Sequence, residues 1–135
     1  MYQQMIFVNL AVNDLDAAKK FFSELGYSIN QQFTDETASA VEISDTIVFM
    51  LMTKEKYAGF TQKTIVDSAK SSEVLLCLSA ESREKVDELV ERALAAGGTE
   101  HGEKQDHGFM YGRAFDDLDG HTFEVAWMDP SAIQS

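Results

Sequence analysis

The residues able to do chemistry are few, and most lie in the last third of the chain. Gln105-Asp106-His107-Gly108-Phe109-Met110-Tyr111-Gly112-Arg113 carries an imidazole, a phenol and a guanidinium on one short stretch. Glycines beside His107 and Tyr111 let the backbone approach a ligand closely. The stretch reads either as a pocket rim of His107, Tyr111 and Arg113 or as a surface hairpin. Further on, Thr122, Glu124 and Ala126 alternate with Phe123, Val125 and Trp127. Alternation of that period is a strand with two faces, and it sets Glu124 apart from the aromatic residues. A carboxylate lining an apolar interior calls for a cationic partner. Arg113, on the preceding predicted strand, is the available one. The pair either braces the sheet or leaves Glu124 to contact a ligand directly. In an enzyme, Glu124 and His107 would be the base and the acid.

The remaining polar groups read as structure. His121 follows the turn Asp117-Leu118-Asp119-Gly120 and is expected to serve it. His101 stands in a polar stretch and is expected to be exposed. Asp116, Asp117 and Asp119 lack the alternating oxygens and distal glutamate of a calcium loop, so they too read as turn. Cys77, in Val74-Leu75-Leu76-Cys77-Leu78, reads as a buried, inert thiol. One cysteine forms no internal disulfide, and no zinc spacing surrounds it. Both facts fit a reducing cytoplasm. No phosphate loop, nucleophile elbow or H-E-x-x-H motif is present.

The elements that must position these groups repeat. Met5–Val12 alternates, with Ile6, Val8, Leu10 and Val12 on one face and Phe7 and Asn9 on the other. Asn13 or Asp14 can cap a helix whose stripe is Leu15, Ala18, Phe22 and Leu25, and Gly26 ends it. Strands are expected over Tyr27–Phe33, Thr37–Ile43 and Thr46–Met52. After a poorly periodic stretch the order returns. A strand is expected over Glu73–Ser79, then a helix capped by Ser82 with the stripe Val86, Leu89, Val90 and Ala93. Gly97-Gly98 ends that helix. A short strand follows near Thr99, then strands over Phe109–Phe115 and Thr122–Trp127. Strand, cap, helix, glycine and three strands occur twice, and such a repeat is a fold-level signal.

Bulk properties narrow the function. The chain of 135 residues suits one domain. It carries 23 acidic against 11 basic residues, a formal net charge of −12. That field repels nucleic acid and anionic membrane and favours a cationic small ligand. No apolar run is long enough for a membrane span. Met1-Tyr2-Gln3-Gln4 lacks the basic start and apolar stretch of a secretory leader.

Two motifs carry a resemblance. Val12-Asn13-Asp14-Leu15-Asp16-Ala17-Ala18-Lys19-Lys20-Phe21-Phe22 followed by Leu25-Gly26, and Asp117-Leu118-Asp119-Gly120-His121-Thr122-Phe123-Glu124, resemble the opening and closing segments of the glyoxalase / bleomycin-resistance / extradiol-dioxygenase (vicinal oxygen chelate) superfamily. Leu118 stands where that family usually has proline. The resemblance implies an α+β fold in one glyoxalase-like domain. Two βαβββ modules, about 1–53 and 73–128, would be joined by a linker over 54–72. Their curved sheets would enclose a cup, and the chain would pair as a homodimer.

In the metal-dependent members, the first and last strands of each module supply four ligands. Those positions fall on Phe7, Met50, Glu73 and Glu124. A phenyl ring cannot bind a metal, and a thioether suits hard divalent ions poorly. No metal or other cofactor is therefore expected. The expected function is metal-independent binding of, or resistance to, a small molecule, with Phe7, Asn9, Met50, Met52, Glu73, Tyr111 and Arg113 as contacts. Trp127 is a weaker contact, because alternation sets it opposite Glu124. The alternatives are a glyoxalase-like lyase or isomerase using Glu124 and His107, and a non-catalytic interaction module.

Overall fold

A computed structural model describes residues 1–132 and divides the chain into two compact units, 1–66 and 67 onward. Each unit builds one mixed sheet and lays one long helix on a single face of it. The fold is therefore mixed α+β.

In the first unit the order is β1 (Ile6–Val12), α1 (Leu15–Glu24), β2 (Ser28–Asn30), β3 (Ala38–Glu42), β4 (Ile47–Thr53) and the short α2 (Lys54–Ala58). The sheet runs β1-β4-β3-β2. β1 and β4 are parallel, which requires a crossover, and α1 lies within it. Asp14 caps α1 by accepting the Ala17 N–H at 3.1 Å. Gly26, at φ 106°, takes the left-handed conformation just past the helix end. Leu15, Ala18, Phe21 and Phe22 are buried on α1, and Phe22 meets Phe49 of β4 edge-on at 6.0 Å. Burying one such ring contributes about 1.5–3 kcal/mol.

The second strand is shorter than its sequence promised. The Asn30 side chain accepts the Gln32 N–H at 3.1 Å, and the Asn30 carbonyl accepts from Thr34 Oγ1 at 2.7 Å. These local bonds turn the chain into a 3₁₀ turn over Gln31–Phe33.

In the second unit the order is β5 (Leu76–Ser79), α3 (Arg83–Ala95), β6 (Thr99–Glu100), β7 (Gln105–Asp106), β8 (Met110–Asp116) and β9 (Thr122–Met128). The sheet runs β5-β9-β8-β6, and β7 also pairs with β8. Ser82 caps α3 by accepting the Lys85 N–H. Val86, Val90 and Ala93 are buried on α3, as are Phe115, Phe123 and Val125 on the sheet. β5 starts at Leu76 rather than Glu73. Leu76 pairs with Phe123, and β9 begins at Thr122, so little strand is left for Glu73 to join.

The stretch expected as a connector divides between the units. α2 occupies its start. Residues from Asp67 on belong to the second unit, where Ser68 Oγ donates to the Asp119 carbonyl at 2.6 Å. Gly120 (φ +87°) lies against the same segment, and a Cβ there would sit 2.6 Å from Ala69 Cα. No helix among the described residues is long and apolar enough to cross a membrane.

Candidate functional site

Each sheet has a face that packs on its helix and a face turned away from that helix, the open face in this sense alone, and alternation sorts the side chains between them. In the first unit, Leu10, Val12, Phe49 and Leu51 take the helix face. Phe7, Asn9, Met50 and Met52 take the other, and Asn9 lies beside Met50 in the parallel pairing. Ala40 pairs with Met50, and Ala38 with Met52. The open face is thus mostly apolar. Phe7 is 58% exposed, Met50 half-buried and Met52 buried. Polar groups stand beyond Met50, where Asn30 Nδ2 donates weakly to Glu42 at 3.5 Å. A separate open recess of about 560 Å³ lies where β4 runs into α2 and is lined by Thr37, Thr53, Glu55, Lys56, Gly59 and Phe60. Thr53 follows Phe49 and Leu51 in the strand alternation, which sets it on the opposite side from Met50.

The second unit's open face is polar. Glu124 pairs with Ala114 on β8 and with Cys77 on β5, so these three share it. Cys77 is exposed, not buried. Strand β5 turns Leu76 and Leu78 toward the helix, and an apolar run does not reveal which of its members faces out. Partial burial, with the charge of Glu124, pushes the Cys77 thiol pKa up and keeps it a poor nucleophile. On the same face Asp116 Oδ1 accepts from Thr122 Oγ1 at 2.7 Å and lies 3.1 Å from His101 Nδ1.

Several residues expected at a pocket lie elsewhere. Arg113 pairs with Val125, not Glu124, and so faces the helix. Its guanidinium, 3% exposed, reaches Asp87 (3.0 Å) and Glu91 (2.7 Å) of α3 and Glu100 (3.1 Å) of β6. Burial works against that charge, but the three carboxylates outweigh it and raise the Arg113 pKa. Tyr111, in phase with Arg113, donates its hydroxyl to Asp87 at 2.6 Å. Burial and that bond push its pKa up to about 12. Tyr111 and Arg113 are therefore supports beneath α3, and the proposed Glu124–Arg113 pair does not form. Trp127 is on this side too. The Arg83 guanidinium lies 5.2 Å from the Tyr111 ring centre and 5.3 Å from that of Trp127. It also makes a two-pronged bond to Asp106, which holds the Asp106 pKa at about 2.

His107 sits in the turn between β7 and β8, next to Phe109, and is exposed. β8 begins at Met110, opposite Met128, which is four residues along β9 from Glu124. Four residues of strand span roughly 13 Å, too far for His107 and Glu124 to act as an acid–base pair. Glu73 is exposed, outside β5, and two residues short of Leu75, the nearest position in phase with Cys77.

The turn after β8 is closed on itself. Asp117 Oδ1 accepts the N–H groups of Asp119 and His121, and Asp117 Oδ2 lies 2.8 Å from His121 Nδ1. Asp117, Asp119 and His121 are the one trio among the described residues with ligand-type atoms all within 4.8 Å. The internal hydrogen bonds already account for Asp117. The metal positions implied by the resemblance also fail the test of chemistry. The first unit offers a phenyl and a thioether at Phe7 and Met50. In the second, Glu124 is the only one of those positions that is a donor within a strand. The family-type ligand set does not fit these residues.

His101 is exposed, as expected, and stands among polar, loop-like residues that hide its place beside β8. A usable signal was present: counting on from Thr99 in steps of two places it in phase with a strand that begins after Gly98.

The comparisons agree with this architecture. The family model for the Glyoxalase/Bleomycin resistance protein/Dioxygenase superfamily matches residues 4–125. Hypothetical protein SA1046 from S. aureus is 30% identical with a TM-score of 0.78, the match covering 94% of each chain. A glyoxalase-related enzyme from Fulvimarina pelagi is 21% identical with a TM-score of 0.78, over 93% of this chain and 88% of that one. Fosfomycin resistance protein FosX from Listeria monocytogenes is 19% identical with a TM-score of 0.69, over 97% and 98%. No curated protein matches the chain.

Proposed function

This chain belongs to the Glyoxalase/Bleomycin resistance protein/Dioxygenase superfamily, and we propose that it binds a small organic cation without the family's metal. One observation carries the proposal: Phe7 and Met50 stand on the open face of the first sheet, where metal-dependent relatives place ligands. Phe7 is 58% exposed there. The exposed face of the Phe7 ring attracts a cation, Met50 adds soft apolar surface one pair further along the same face, and the net charge of −12 raises the local concentration of a cation. A homodimer fits the same reading, since Met5 and Ile6 leave apolar surface along the edge strand β1.

Calorimetric titration with benzyltrimethylammonium and with phenylpropionate, similar in size and opposite in charge, tests the proposal. Binding of the cation alone, weakened about tenfold in Phe7→Ser, is the expected result. Preference for the anion, or near-stoichiometric zinc, nickel, iron or manganese in protein dialysed without chelator, would overturn it.

A further inference from the structure

We propose that the open face of the second sheet is a polar binding site, set between Glu124 and His101, for a small amine carrying a hydroxyl group. The inference rests on the ligand being cationic, as above, and concerns groups of the second unit alone.

The geometry follows from strand register. Thr99 pairs with Asp116 and Glu100 with Phe115. The next residue, His101, donates its N–H to the Ala114 carbonyl at 2.9 Å. Ala114 pairs with Glu124, and Glu124 with Cys77. His101, Ala114, Glu124 and Cys77 therefore form one rung across the sheet, and side chains of one rung share a face. Two strand spacings separate the backbones of His101 and Glu124, roughly 10 Å. Only the methyl of Ala114 stands between them. The floor continues over Gly112 and Ala126, also paired. An imidazole and a carboxylate thus face each other across a floor of small residues.

The His101 ring is oriented. Its Nδ1 lies 3.1 Å from Asp116 Oδ1, which Thr122 Oγ1 also holds, at 2.7 Å. A carboxylate beside Nδ1 leaves Nε2 as the ring nitrogen that meets a ligand hydroxyl, a group able to donate or accept. Glu124 supplies the negative charge for an ammonium group. Asp116 is a positioning residue acting through His101. A hydroxyl at one end of the ligand and a cation at the other match the two walls.

The test is titration of the full chain followed by amide NMR, using ethanolamine, ethylamine and propionate. Shifts at His101, Ala114 and Glu124 are expected with ethanolamine. Ethylamine should bind about tenfold more weakly, the loss of one hydrogen bond to an oriented group. Glu124→Gln should weaken both amines, His101→Ala should erase the preference for the hydroxyl, and His107→Ala should change nothing. Asp116→Asn should reduce the preference while leaving ethylamine binding intact. Equal binding of the two amines by the native chain, or a preference for the hydroxyl that persists in His101→Ala, overturns the role of His101. Shifts with propionate, or none with ethanolamine, overturn the site. If benzyltrimethylammonium still binds through Phe7 in that case, the broader function stands while this site falls.

Discussion

The two sheets share a plan and invert its chemistry. In the first unit the helix face is apolar, built on Phe21, Phe22, Phe49 and Leu51, and the open face is apolar as well, with Phe7, Met50 and Met52. In the second unit charge appears on both sides. Beneath α3, Arg113 ties together Asp87, Glu91 and Glu100. On the open face stand Glu124, His101 and Asp116. A repeated fold therefore fixes which positions face out and leaves their chemistry open. The resemblance alone would have assigned both open faces to a metal.

The sharpest way to break this comparison is Arg113→Met. If the guanidinium is structural, its removal strands three carboxylates near one another beneath α3. Losing one partner of a buried pair costs about 3–5 kcal/mol. The partners are partly exposed, with side chains at 45%, 63% and 35%, so the lower end is expected. Urea denaturation would show it. A variant of unchanged stability that loses ligand binding would return Arg113 to the pocket.

The placement of Arg113 beneath α3 separates what local sequence pattern dictates from what strand register decides. Strands, caps and the glycine stops were legible because each has a local cause: period-two alternation, Asp14 and Ser82 at helix starts, Gly26 and Gly97 at left-handed positions. The face of Phe7, Asn9 and Met50 was legible for the same reason. The expected Glu124–Arg113 pair needed one step more, because which β8 residue lies beside Glu124 depends on the register of β8 against β9, and that register is set by a turn. Alternation within β8 alone puts Arg113 with Tyr111 and Phe115, and Phe115 is plainly core. His101 required two registers in succession. β7, two polar residues long, has no local signal at all.

A smaller effect is expected at the turn that anchors the second unit. Gly120→Ala forces a Cβ into Ala69 at 2.6 Å and Ser68 O at 2.8 Å, in a backbone conformation at φ +87°. The cost is about 1–3 kcal/mol, read as a lower urea midpoint. Protection of amides near Ala69 from hydrogen exchange should fall with it. If stability is unchanged, the segment from Asp67 on is not held by this turn.

On the first sheet, Phe7→Ser should do the opposite. Its ring is mostly exposed, so stability should change by less than about 0.5 kcal/mol, while affinity for benzyltrimethylammonium drops. A large loss of stability with affinity retained would make the first open face a packing surface rather than a binding one.

The smallest predicted effect is a dependence on pH. Burial disfavours the charged His121 ring, but the hydrogen bond and charge of Asp117, with Asp119 and Asp116 nearby, outweigh it and raise the pKa above 6.5. A group whose folded pKa is raised stabilises the fold fully below its unfolded pKa, and that contribution fades as pH climbs through the folded value. His121→Gln keeps a side chain that can donate to Asp117 and removes the charge. The stability gap between the native chain and this variant should therefore be largest near pH 5.5–6 and shrink toward pH 8.5. The first unit contains no histidine, so hydrogen-exchange protection of its amides should not follow that trend. A gap that stays flat across the range would mean that the imidazole serves the turn as a neutral hydrogen-bonding ring. The difference between the two units would then lie in hydrogen bonding at this turn rather than in its charge.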